Sequence, residues 1–81
     1  MEKNQIINEV NHIFKDVLDN DDIMINESTT AKDVEEWDSL NHIQLVVAIE
    51  KHFKIRFTTQ EIQNWKNVGE MADCILQKRS N

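Results

Sequence analysis

The chain of 81 residues contains no proline and a single glycine, Gly69. An all-β sandwich reverses direction many times, and its turns draw on glycine and proline. A collagen-like chain needs glycine at every third position. A glycine-rich phosphate loop cannot be written at all, because no Gly-x-Gly pair exists. Helices joined by polar connections are the architecture left.

The apolar pattern agrees. Ile6, Ile7, Val10, Ile13, Phe14, Val17 and Leu18 share one helical face, which predicts an amphipathic helix over residues 4–18. Asp19-Asn20-Asp21-Asp22 stops it, since short polar side chains compete for backbone hydrogen bonds. Residues 19–37 have no sustained period. Ile23, Met24, Ile25, Val34 and Trp37 are expected to pin this loop to the core, and residues 28–33 to hold one short helical turn. So long a connection in so small a domain points to a functional role.

Asp38 is a good N-cap, and Ser39 falls on the first turn of a second helix reaching about residue 53. The run Leu45-Val46-Val47-Ala48-Ile49 offers a strand alternative, because three of its members are β-branched. The longer pattern around it favours a helix packed on several sides. Thr58-Thr59-Gln60-Glu61 is a capping box that opens a short third helix carrying Ile62 and Trp65. Asn67-Val68-Gly69-Glu70 opens the last, with Val68, Met71, Ala72, Ile75 and Leu76 facing inward. Lys78 and Arg79 suit its C-terminal dipole. The expected fold is all-α: a four-helix bundle, one domain over 1–81, with a long loop between helices 1 and 2. Its core should join Ile6, Val10, Ile13, Phe14 and Val17 to Leu40, Val47, Phe53, Val68, Ala72 and Ile75.

Charge and cysteine usage narrow the function. The net charge is −6, and residues 16–38 hold nine acids against Lys32 alone. Nucleic-acid binding needs a basic face, so it is not expected. Docking onto basic patches of partner proteins suits such a field, as does plain solubility. Cys74 is the lone cysteine, so neither an internal disulfide nor a Cys-x-x-Cys pair can form. A reducing, cytoplasmic setting is therefore expected. The longest apolar run is far too short to cross a bilayer, and the N-terminus does not read as a signal peptide. Met, His and aromatic positions read as ordinary core or surface residues. His12, His42 and His52 lack ligand spacing, Cys74 reads as a core thiol, and Trp37 and Trp65 read as anchors. The acidic loop fails the EF-hand pattern, which would require glycine at Met24 and glutamate at Thr30.

Asp38-Ser39-Leu40 carries the specific signal. Alone it is ordinary capping. With Ile43, Leu45-Val46-Val47, Ile49-Glu50 and Phe53, and onward through Phe57, Ile62, Trp65, Val68, Ala72 and Ile75, it resembles the acyl carrier protein family over nearly the whole chain. The resemblance implies that a holo-acyl-carrier-protein synthase, a phosphopantetheinyl transferase, places 4′-phosphopantetheine on Ser39. The arm's thiol would then carry acyl groups as thioesters between acyl-loading and acyl-using enzymes, with the carrier a monomer and not itself an enzyme. Many members have glycine where Glu36 stands, and fatty-acid carriers have a more acidic second helix than Asn41, Gln44, Lys51 and His52 provide. These departures point to a specialised pathway.

An aminoacyl or peptidyl carrier is the alternative within the class. A helical adaptor with an acidic docking face, Ser39 being only a cap, is the alternative outside it. A Ser39–His42–Asp38 triad is disfavoured, since Asp38 cannot easily orient His42 and no shaped pocket is evident. At 100° per residue Ser39, His42, Val46 and Glu50 form one stripe. Partners are expected to read that stripe together with Glu35, Glu36 and Asp38.

Overall fold

The structure is a computed structural model that describes residues 2–79. The first helix, α1, spans Lys3–Leu18, and its predicted stripe is the one that is buried. It ends at Asp19, which takes the left-handed conformation (φ 51°) and donates its N–H to the Lys15 carbonyl. Aspartate tolerates this conformation better than most residues. The second helix, α2, spans Ser39–Phe53; α3 spans Thr59–Asn64 and α4 spans Val68–Arg79. No strand occurs among the described residues, so the β-branched run in α2 is helical. Packing of an apolar face has overridden local propensity there.

Each predicted cap is formed. The Asp38 carboxylate accepts from the Asn41 N–H at 2.8 Å. Thr58 Oγ1 accepts from the Glu61 N–H at 3.1 Å, and Glu61 accepts in return from the Thr58 N–H at 2.8 Å. Asn67 accepts from the Glu70 N–H at 2.9 Å.

The long loop is a packed segment. Ile23, Val34 and Trp37 are buried, and Ile25 is half-buried against the core. Met24 departs from expectation: it is 85% exposed. Residues 28–33 form hydrogen-bonded turns and no helix, with the Asp33 N–H donating to the Thr30 carbonyl at 3.0 Å. The Asp33 carboxylate accepts from the Thr30 N–H, a local bond that competes with helix continuation. The loop also serves α4. The N–H groups of Val68 and Gly69, which lack partners within a helix, donate to the Thr29 and Glu27 carbonyls at 2.9 Å each. A Cβ at Gly69 would sit 3.0 Å from the Glu27 carbonyl oxygen, so the one glycine stands where loop and helix backbones touch.

α1 packs against α2 and α4. Phe14 lies at the centre, edge-on to Trp37 with ring centroids 4.9 Å apart. From α2 the core takes Leu45, Ile49 and Phe53. This corrects the expected face of α2. Leu40 is 67% exposed and Val47 43%, whereas Val46 is 5% exposed. The helix carries two apolar stripes, Leu40-Ile43-Val47 and Leu45-Ile49-Phe53, roughly 150° apart at 100° per residue. Only one can face α1, and the stripe ending in Phe53 removes more apolar area from water. Val46 lies about 20° around the helix from Phe53 and is carried inward with it.

Candidate functional site

Ser39 is the first residue of α2 and is exposed. Among the described residues its hydroxyl has no hydrogen-bond partner. Its surroundings are firmly built. Asp38 caps the helix, and its carbonyl accepts from the His42 N–H at 2.8 Å. The Asn41 side chain donates to the Glu36 carbonyl at 2.7 Å. The loop end is thus tied to the first turn from both sides, and these bonds fix the backbone that carries Ser39. The helix N-terminus favours an anionic group on its oxygen.

A groove of about 850 Å³ opens beside Ser39, bounded by Trp37, His42, Ile43, Ile62 and Trp65. His42 is its hub. Trp37 Nε1–H donates to His42 Nδ1 at 3.0 Å. Burial lowers the proton affinity of His42 from the usual 6.5, and the nearby Ile62 backbone opposes this only in part. Trp37 stacks on the imidazole and Trp65 meets it edge-on, with centroids 6.0 and 6.1 Å away. Nδ1 of His42 is occupied by Trp37, Nε2 then carries the ring proton and cannot take one from Ser39, and Asp38 is spent on its cap. The three side chains therefore make no nucleophilic triad.

The other expected recognition residues divide. Glu35 and Asp38 are exposed at the loop end. Glu36 is half-buried and accepts from the Asn20 side chain at 2.6 Å. Glu50 is half-buried too, and accepts from the Phe57 N–H at 2.8 Å, bracing the turn into α3. Val46 is buried and offers nothing to a partner. His42 faces the groove floor. The expected stripe is thus rotated by about one residue, and the exposed surface beside Ser39 is Leu40, Ile43 and Val47. Their spacing of three and four was visible in the sequence, but so was that of the rival stripe.

Elsewhere, the Glu61 carboxylate joins α3 to α4. It accepts from the Thr58 N–H and pairs with Lys78 Nζ at 2.9 Å, and these contacts hold its pKa down at about 2. Cys74 is half-buried with Sγ 3.6 Å from Glu61; burial first, then that carboxylate, push its thiol pKa up. Lys3 bridges Glu27 and Asp73 at 3.1 and 3.0 Å, tying α1, loop and α4. Among the described residues no three His, Cys, Asp or Glu side chains are placed to hold a metal ion, and no helix is long and apolar enough to cross a membrane.

The family model for the phosphopantetheine attachment site matches residues 8–75. The chain belongs to the acyl carrier protein family. It is similar to the solution NMR structure of a holo acyl carrier protein from Geobacter metallireducens, with 40% identity and a TM-score of 0.87. The match covers 93% of this chain and 86% of that one. Among curated proteins, none matches the chain. The family's cofactor is 4′-phosphopantetheine, held covalently, and the exposed, unpartnered hydroxyl at a helix start fits it.

Proposed function

We propose that Ser39 is the attachment point of the 4′-phosphopantetheine arm, and that the chain is one carrier unit moving acyl groups in a specialised cytoplasmic pathway. One observation carries this reading: Ser39, within the family's Asp-Ser-Leu motif, presents a free, exposed hydroxyl on an immobilised helix start. In the transfer, Ser39 Oγ bonds to the phosphorus that bears pantetheine in coenzyme A. The bond to the second phosphate breaks, the adenosine bisphosphate leaves, and the serine proton passes to the transferase. Ser39 is then a tether. The later chemistry belongs to the arm's thiol.

The specialised pathway is supported by the surface of α2. Asn41, Gln44, Lys51 and His52 give it little of the acidity of fatty-acid carriers. The transferase is the partner expected to dock on Leu40, Ile43 and Val47, since this ridge starts beside Ser39 and adjoins the acidic loop end of Glu35 and Asp38. An exposed apolar ridge rimmed by charge is a fitting protein contact.

The test is intact mass after incubation with coenzyme A and a phosphopantetheinyl transferase. The wild type should gain one arm. Ser39→Ala should gain none while keeping its helical circular dichroism. Modification persisting in that variant would overturn the assignment.

A further inference from the structure

We propose that His42 is a positioning residue for modification at Ser39: its neutral ring holds the loop end, through Trp37, and the end of α3, through Trp65, against α2, building the wall beside the serine, and protonation breaks the bond to the loop end. The inference rests on the reading of Ser39 as the attachment point, and concerns what holds the site in shape.

The indole N–H of Trp37 can only donate. Its bond of 3.0 Å to His42 Nδ1 therefore requires a lone pair on that nitrogen. The single ring proton is then on Nε2. One imidazole thus joins three pieces of chain: Trp37 from the loop by that bond, His42 from the first turn of α2, and Trp65, the C-cap of α3, by an edge-on ring contact. An imidazolium carries N–H on both nitrogens, so the Trp37 N–H would face another donor. Trp37 is buried, and a buried donor without a partner is unfavourable.

The clasp matters because α3 cannot hold itself. It has six residues, none of them buried, and a helix so short is unstable alone. Glu61 bonds it to Lys78 and Cys74 of α4, and Trp65 at its end packs on His42 of α2. Protonation breaks the bond of His42 to Trp37, and so frees the loop side of the groove next to Ser39. The charged side chains lining that groove are Asp38 and Lys66. Asp38 is committed to the Asn41 N–H. Neither is among the causes that shift the proton affinity of His42, which burial lowers and the Ile62 backbone partly restores. Stacking on Trp37 would by itself favour the cation, so the two arrangements predict opposite directions of titration.

The experiment uses the full apo chain. Nitrogen-15 NMR should show His42 as the Nε2–H tautomer, titrating below 6.5. The Trp37 indole proton should lose its exchange protection in the same transition. Transfer kinetics with coenzyme A and the transferase give the second readout. His42→Phe keeps a ring but not the Trp37 bond, and should raise KM for the carrier about fivefold, the effect of one lost net bond, with little change in kcat. His42→Gln can accept from Trp37 without titrating. It should recover most of the lost KM, and the ratio of wild-type to Gln rates should fall as the pH drops below 6.5. Titration of His42 above its usual value, an Nδ1–H tautomer, or a Gln variant no better than Phe would overturn the clasp. Absence of any transfer to wild-type Ser39, with the NMR result as expected, would instead count against the attachment reading.

Discussion

Glu61 shows how one side chain can hold an element in place. Its carboxylate closes the α3 cap and reaches Lys78 on α4, so the folded protein favours the ionised form. The pKa falls from 4.5 in the free side chain to about 2. The resulting stabilisation is complete above 4.5 and is lost as the pH falls from there towards 2, because the unfolded chain takes up the proton first. Glu61→Gln should therefore flatten the fall of the thermal midpoint between pH 5 and pH 2.5, measured by circular dichroism. Equal slopes for wild type and variant would show that the contacts are not formed in solution. Gly69 works by its lack of a side chain. Alanine is ordinarily better than glycine inside a helix by about 1 kcal/mol. Here its Cβ would meet the Glu27 carbonyl oxygen at 3.0 Å, and that oxygen is held by the Gly69 N–H itself. The loop would have to shift, as in an overpacked core, at a cost of about 1–3 kcal/mol. Gly69→Ala should lower the urea midpoint despite its better propensity. A raised midpoint would mean that loop and helix can part freely.

At the scale of elements, α2 is the instructive case. Leu45, Ile49 and Phe53 are buried while Leu40, Ile43 and Val47 face out. Ile49→Ala should cost about 2–5 kcal/mol in urea unfolding, as deletions in packed cores do. Leu40→Ala should stay within about 0.5 kcal/mol, the usual range for surface changes. The reverse ranking would mean that α2 is turned the other way. The contrast also marks where sequence reasoning works. Asp38, Thr58 with Glu61, and Asn67 declare the helix starts, because a cap acts over three residues and is local. α1 declares its face, because it has a single apolar stripe. The loop anchors Ile23, Val34 and Trp37 stand out as apolar residues in a polar segment. α2 is ambiguous because it has two stripes, and the choice between them is made by α1, which is distant in sequence. The tertiary partners of His42 and Glu50 are hidden for the same reason. His42 meets Trp65 only once α3 folds back, and Glu50 meets the Phe57 N–H only once the turn has formed.

Over the whole molecule, negative charge and exposed apolar surface lie on different segments. The acids gather in residues 16–38, while residues 39–81 hold four acids and six bases. Under the proposed docking, a partner approaching Ser39 would meet the acidic loop at long range and the ridge Leu40-Ile43-Val47 at contact. Long-range attraction between exposed charges speeds encounter and is screened by salt. Apolar contact acts after encounter and depends little on salt. Glu36 and Glu50 are tied into the fold, so they are poor sites for testing steering. Asp21, Asp22 and Glu35 are exposed. Reversing these three to lysine should slow transfer of the arm by a transferase with a basic docking surface, and should reduce the dependence of the second-order rate on ionic strength. Truncating Leu40, Ile43 and Val47 to alanine should slow transfer as well, but leave the salt slope unchanged. The measurement is the rate at low and high salt for wild type and both variants. If the charge variant keeps both rate and slope, the acidic loop serves solubility alone. If the ridge variant alters the slope, contact and steering are not separable, and the ridge must gain its effect through the charges around it.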